Sequence, residues 1–97
     1  MSEPHQVTRE HGETRGRFVI RRGGEEAELT YSVTTPTLFI ADHTGVPDSF
    51  RGTGAGLALV QAIVEAARAD GFKVVPLCPF VKAQSHKHPE WADVFAG

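Results

Sequence analysis

At 97 residues the chain has room for one domain with a modest core. Its apolar content of 40% and charged content of 23% are those of a globular protein. A formal net charge of -2, with no basic cluster beyond Arg21-Arg22 and Lys82/Lys87, speaks against nucleic acid and anionic membrane surfaces as partners.

The elements follow in chain order. Residues 1–14 are polar and lack the apolar centre of a secretory signal. They are expected to be a disordered N-terminus ahead of a single domain over residues 15–97. Residues 17–22 predict a strand with Phe18 and Ile20 on one face, and Gly23-Gly24 is a two-residue hairpin signal. Residues 25–33 alternate, with Ala27, Leu29, Tyr31 and Val33 facing one way and Glu28, Thr30 and Ser32 the other. After a turn at Thr34-Thr35-Pro36, residues 37–43 predict a third strand. Its continuous apolar run, Leu38-Phe39-Ile40-Ala41, suits a strand covered on both faces. These three strands are expected to form an antiparallel meander.

A loop over residues 45–52 leads to a helix over residues 53–70. Leu59, Val60, Ile63, Val64 and Ala67 form its apolar stripe, and Gly71 suits the position just past its end. A short buried strand follows at residues 73–77. Cys78-Pro79 opens a second helix, which His88-Pro89 interrupts before a last turn or two over residues 89–95. The order βββ-α-β-α predicts an α+β fold with helices packed on a mostly antiparallel sheet. No apolar run approaches the roughly 20 residues of a membrane span. The single cysteine, Cys78, excludes an internal disulfide and fits a reducing cytoplasm.

Gly52, Gly54 and Gly56 alternate directly before the first helix, behind Arg51. Glycine lets a backbone turn tightly and approach a ligand closely. A helix start carries unpaired amides and the positive end of the dipole, so the two together suit a phosphate or pyrophosphate. A dinucleotide fingerprint would need glycine where Leu57 stands, and a P-loop would need lysine and a hydroxyl where Leu57-Ala58 stand. What remains is Arg-x-x-Gly-x-Gly, or else a glycine-rich turn that serves shape alone.

This pattern resembles the pyrophosphate loop of the GNAT superfamily of acetyl-CoA-dependent N-acetyltransferases. Three further segments sharpen the likeness: His43-Thr-x-Val-Pro47, Val75-Pro-Leu-Cys-Pro-Phe-Val81 and His88-Pro-Glu-Trp91. Taken in order, they make the chain similar, over residues 17–95, to the small GNAT-like proteins, a minimal N-acetyltransferase family. The resemblance implies a minimal GNAT-like fold that binds acetyl-CoA as acetyl donor and acetylates an unidentified amine. Backbone amides of Gly52, Thr53, Gly54, Ala55, Gly56 and Leu57 would then hold the pyrophosphate, with Arg51 opening the loop. The backbone near Val46 would meet the pantetheine arm, and Cys78 would lie near the thioester. The chain departs from the family in its second helix, which carries Gln84 where a tyrosine is common and His86-Lys87 where a basic pair is common. Its only tyrosine is Tyr31. A module that binds CoA or a protein with little or no turnover is the alternative, acting as a monomer or weak homodimer.

Two side chains are candidates for chemistry. At a helix N-terminus the Cys78 thiol would have a lowered pKa and could act as a nucleophile, or it could simply fill space in the core. His43, ending the third strand, has the titration range of a general base, or it could fix the loop's shape through a hydrogen bond. His86 and His88 with Cys78 and His43 match no common zinc spacing, so no metal is expected. His88 is expected to pin the Pro89 turn, and Trp91 and Phe95 to join the core.

Overall fold

The computed structural model describes residues 5–96. Five strands form one sheet in the order β1-β2-β3-β4-β5: β1 Thr8–His11, β2 Arg15–Arg22, β3 Glu25–Thr35, β4 Leu38–Gly45 and β5 Lys73–Pro76. Two helices, α1 Ala55–Asp70 and α2 Pro79–Lys87, pack on it, with single 3-10 turns at Asp48–Phe50 and Pro89–Trp91. Strands β1 to β4 are antiparallel. β5 joins β4 in parallel, pairing Leu38 with Lys73 and Ala41 with Pro76, and α1 makes the crossover. No helix among the described residues is long and apolar enough to cross a membrane.

The expected meander is present as β2, β3 and β4. Tyr31, Leu29 and Ala27 point to α1 and are fully buried, while Glu26 on the other face is exposed. α1 buries Ala55, Leu59, Val60, Ile63, Val64 and Ala67 against that sheet face. Each of its larger aliphatic side chains contributes about 1.5–3 kcal/mol by leaving water. Gly71 ends the helix at φ 78°, donating to the Ala67 carbonyl at 2.8 Å. Trp91 and Val94 close the core, and Arg68 of α1 ties that segment down through Asp93 at 2.8 Å.

Two expectations are corrected. Residues 1–14 do not all lie outside the fold, because Thr8–His11 pairs along its whole length with β2; residues 1–4 lie outside the described residues. Polar composition hid this strand. Arg9 donates to the Tyr31 hydroxyl at 3.0 Å and to Asp70 at 3.0 Å, and its guanidinium lies 5.5 Å from the Phe18 ring centre. His11 stacks on Tyr31 and Phe39, with Nδ1 2.7 Å from the tyrosine oxygen. These two side chains bury their flat faces on aromatics, which an apolar count along the sequence does not register.

The second correction concerns β4, which is covered on one face only. The other sheet face carries an ion lattice. Arg17 bridges Glu10 at 2.6 Å and Glu28 at 2.8 Å, and Arg21 bridges Glu26 at 2.6 Å and Glu10 at 2.7 Å. The Arg21 and Arg17 guanidiniums hold the Glu10 carboxyl below its usual range. Val19 lies on this face, between Arg17 and Arg21, and is fully buried beside their aliphatic stems.

Gly16 is the tightest point of the sheet. A Cβ there would stand 2.4 Å from the Tyr31 hydroxyl and 2.7 Å from the Glu10 carbonyl oxygen, which is backbone and cannot swing away. Gly16→Ala is therefore expected to destabilise the fold by about 2 kcal/mol, as overpacking does. Urea denaturation checks this, and an unchanged midpoint would show that β1 is not held against β2 as described.

Candidate functional site

The site forms where β4 and β5 part. Ala41 is the last β4 residue paired with β5, and Thr30 opposes His43 while Tyr31 opposes Ala41, so Asp42 is an extra residue. This bulge bends the strand and resets its alternation. Beyond it, Thr44 lies opposite core-facing Leu29, whereas His43 lies opposite Thr30 on the open face. Asp42 also faces that side, accepting from Ser32 Oγ at 2.6 Å. Cys78 N–H still reaches back to the Ala41 carbonyl at 2.9 Å, and the β4 edge after Ala41 has no strand beside it.

An open groove of about 430 Å³ follows that edge. Thr44, Val46 and Phe50 line it with Arg51, Gly52, Gly54, Ala55, Gly56, Leu57 and Phe80. Val46 and Phe80 are 40% and 37% exposed, and both line this groove. Thr53 is the expected loop residue that does not line it, because its hydroxyl turns back to donate to the Phe50 carbonyl at 2.6 Å. The Arg51 side chain is 84% exposed and only loosely paired with Asp48, at 3.4 Å.

The three glycines have two different jobs. Gly52 at φ 77° and Gly54 at φ 79° adopt the left-handed conformation that glycine alone takes readily, and nothing lies within 4 Å of where their Cβ atoms would be. Gly56 is ordinary helix, but a Cβ there would stand 2.7 Å from Phe80 Cζ. The third glycine thus makes room for α2, not for the turn. Gly54 is the N-cap and supplies no side chain. The N–H groups of Gly54, Ala55, Gly56 and Leu57 meet no acceptor among the described residues. They are oriented donors at the positive end of a 16-residue helix.

Cys78 is the N-cap of α2 and is 5% exposed. Its Sγ lies 3.3 Å from Thr44 Oγ1. Burial pushes the thiol pKa up. Hydrogen bonds from the Thr44 hydroxyl and from the Val81, Phe80 and Thr44 amides outweigh that and bring it below the ordinary thiol value. The structure therefore brings Cys78 together with Thr44, a residue to which the sequence assigned no role. The two expected chemical residues are not a pair, since His43 is exposed on the far sheet face. Thr44 belongs to the His43-Thr-x-Val-Pro47 segment, but no residue type in 41–45 announces the bulge that turns it inward. Further along, His88 sits 3.0 Å from Glu90 and stacks on Trp91 at 4.2 Å, holding the Pro89 turn as expected.

With this geometry in view, the comparisons with known proteins are specific. A family profile described as GCN5-related N-acetyl-transferase matches residues 17–94. The chain belongs to that family. Its fold also matches the NMR solution structure of a "GCN5-like putative N-acetyltransferase" from Staphylococcus aureus. That match has a TM-score of 0.71 and 30% identity over 99% of this chain and 92% of the other. A search of curated proteins finds no match. The profile begins within β2 and spans the glycine loop and Cys78, and the structural match extends over β1 as well.

Removing the Thr44 hydroxyl tests the thiol's environment. Thr44→Val is expected to raise the Cys78 pKa, moving the pH midpoint of alkylation by iodoacetamide upward from the wild-type value. An unmoved midpoint would show that Thr44 does not hold the thiolate.

Proposed function

We propose that this protein binds acetyl-CoA in the β4–α1 groove and transfers its acetyl group to an amine. One observation carries the reading: four unpaired helix-start amides open onto a groove whose lining reaches Thr44, and the Thr44 hydroxyl lies 3.3 Å from the buried Cys78 thiol, which does not itself line the groove. The amides from Gly54 to Leu57 suit a pyrophosphate, with Arg51 free to turn toward it. The free edge past Ala41, up to Val46, offers backbone groups to an amide-bearing arm. Open space over Gly52 and Gly54 lets a ligand approach the backbone directly.

Acetyl-CoA supplies an acyl carbon activated as a thioester. The chain's own groups then fit acyl transfer. The Cys78 thiolate can attack that carbon: an S–C bond forms, the bond to CoA sulfur breaks, and the released thiolate takes a proton. A neutral amine then attacks the acetyl-cysteine, regenerating the thiol and losing one proton to a base. Direct attack by the amine on the bound thioester is the other route, with positioning supplying the rate. His43 faces the open side of the sheet, where an acceptor could meet it as a base. The lone, unpaired Cys78 fits a reducing cytoplasm.

A second reading, CoA binding with little turnover, is favoured by one feature. Tyr31, the chain's only tyrosine, is fully buried in the core and unavailable as an acid for the leaving thiolate.

Calorimetric titration with acetyl-CoA, against free CoA, tests the cofactor assignment. Micromolar affinity is expected, roughly -8 kcal/mol. Gly54→Glu should abolish it by placing a carboxylate in the anion cradle. Gly54→Ala, which carries the same left-handed strain without the charge, should keep most of it; equal loss in both would point to strain instead. Intact mass after incubation with acetyl-CoA should show one added acetyl group in the wild type and none in Cys78→Ala. Acetyl label persisting in that variant would place the nucleophile elsewhere, and turnover of an amine panel without label would favour direct transfer.

A further inference from the structure

The segment ahead of β1 reaches the glycine loop from the opposite edge of the sheet. The registers line up across four strands: Thr8 opposes Val19, Val19 opposes Glu28, and Glu28 opposes Gly45. The chain therefore enters β1 at the same end of the sheet where β4 runs into the loop. Val7 packs against the core there, and His5 Nε2 lies 2.7 Å from the Thr53 carbonyl oxygen. A carbonyl only accepts, so Nε2 carries the proton and donates.

That carbonyl belongs to the peptide group joining Thr53 to Gly54. The group is planar and trans, so its C=O and the Gly54 N–H point in opposite directions. Fixing the one aims the other. Local sterics do this poorly here, because Thr53 is flanked by two left-handed glycines with open space above them. The Gly54 amide is also the first in the run of N–H groups without an acceptor. A tertiary hydrogen bond on its partner carbonyl is what holds its direction. His5 lies ahead of the residues that the family profile matches.

We propose that His5 is a positioning residue: it holds the Thr53–Gly54 peptide so that the Gly54 N–H is presented to the pyrophosphate of acetyl-CoA. This rests on the reading that the glycine loop binds that ligand. The N-terminal segment is thereby part of the cofactor site, and β1, anchored by Arg9 and His11, is the strut that delivers it.

The test compares the full chain with His5→Ala and His5→Gln. In the ligand-free protein, His5→Ala should move the Gly54 amide resonance in an NMR spectrum while leaving α1 beyond its first turn unmoved. In calorimetry with acetyl-CoA, His5→Ala should bind roughly three- to tenfold more weakly, the worth of one neutral hydrogen bond. His5→Gln keeps an N–H donor at similar reach and should restore most of that affinity, with equal thermal midpoints in all three proteins. A tight wild type matched by His5→Ala would overturn the positioning role alone, as would a Gly54 resonance that stays put or a glutamine variant as weak as alanine. A wild type that binds neither acetyl-CoA nor CoA would overturn the reading of the loop, and the role of His5 with it.

Discussion

A strand sends successive side chains to opposite faces, so one inserted residue exchanges the faces of everything after it. In β4 that residue is Asp42. Were Asp42 paired in regular alternation and not bulged, His43 would continue the core-facing series of Phe39 and Ala41, and Thr44 would face solvent. With the bulge, Thr44 turns inward to Cys78, and His43 turns out beside the Ser32–Asp42 pair. Past Ala41 no β5 residue pairs with β4, and the groove is lined from Thr44 onward. The thiol's environment and the separation of His43 from Cys78 both follow from one extra residue.

The loop after β4 depends on a different constraint. Its left-handed glycines let the chain turn into α1 without a side chain over the helix start. Most helices satisfy their first amides with a Ser, Thr, Asp or Asn cap. Here the N-cap is Gly54, and the amides are left facing the groove. A helix start without a cap leaves those donors to water or a ligand. α2 contributes to the same place twice, with Cys78 at its N-cap and with Phe80 seated against Gly56. A ring needs a missing Cβ opposite it, so Gly56 and Phe80 act as a pair linking the two helices at the groove.

The family and most of the architecture were legible beforehand because they rest on local patterns. The alternation in 25–33, the helical stripe from Leu59 to Ala67, Gly71 at the helix end and proline after Cys78 are each decided within a few residues. The glycine-rich turn into α1 was legible for the same reason, and of the residues expected to meet the cofactor all but Thr53 line the groove, which is a matter of shape and not of binding. β1 was missed because Arg9 and His11 are stabilised by aromatic faces from β2, β3 and β4, none near them in sequence. The coverage of β4 was misjudged because an apolar run does not say which face receives the helices.

By itself the sequence determined the order of elements after β1, the hairpin, the two helices, the glycine-rich entry to α1 and the family resemblance, since all of these depend on residue type at short spacing. Tertiary structure alone decided which side chains meet. It set the bulge at Asp42, paired Thr44 with Cys78, parted His43 from them, seated Phe80 on Gly56 and brought His5 to Thr53. The physical reason is that a strand's register and a chain end's path are fixed by partners many residues away, and no local preference encodes them.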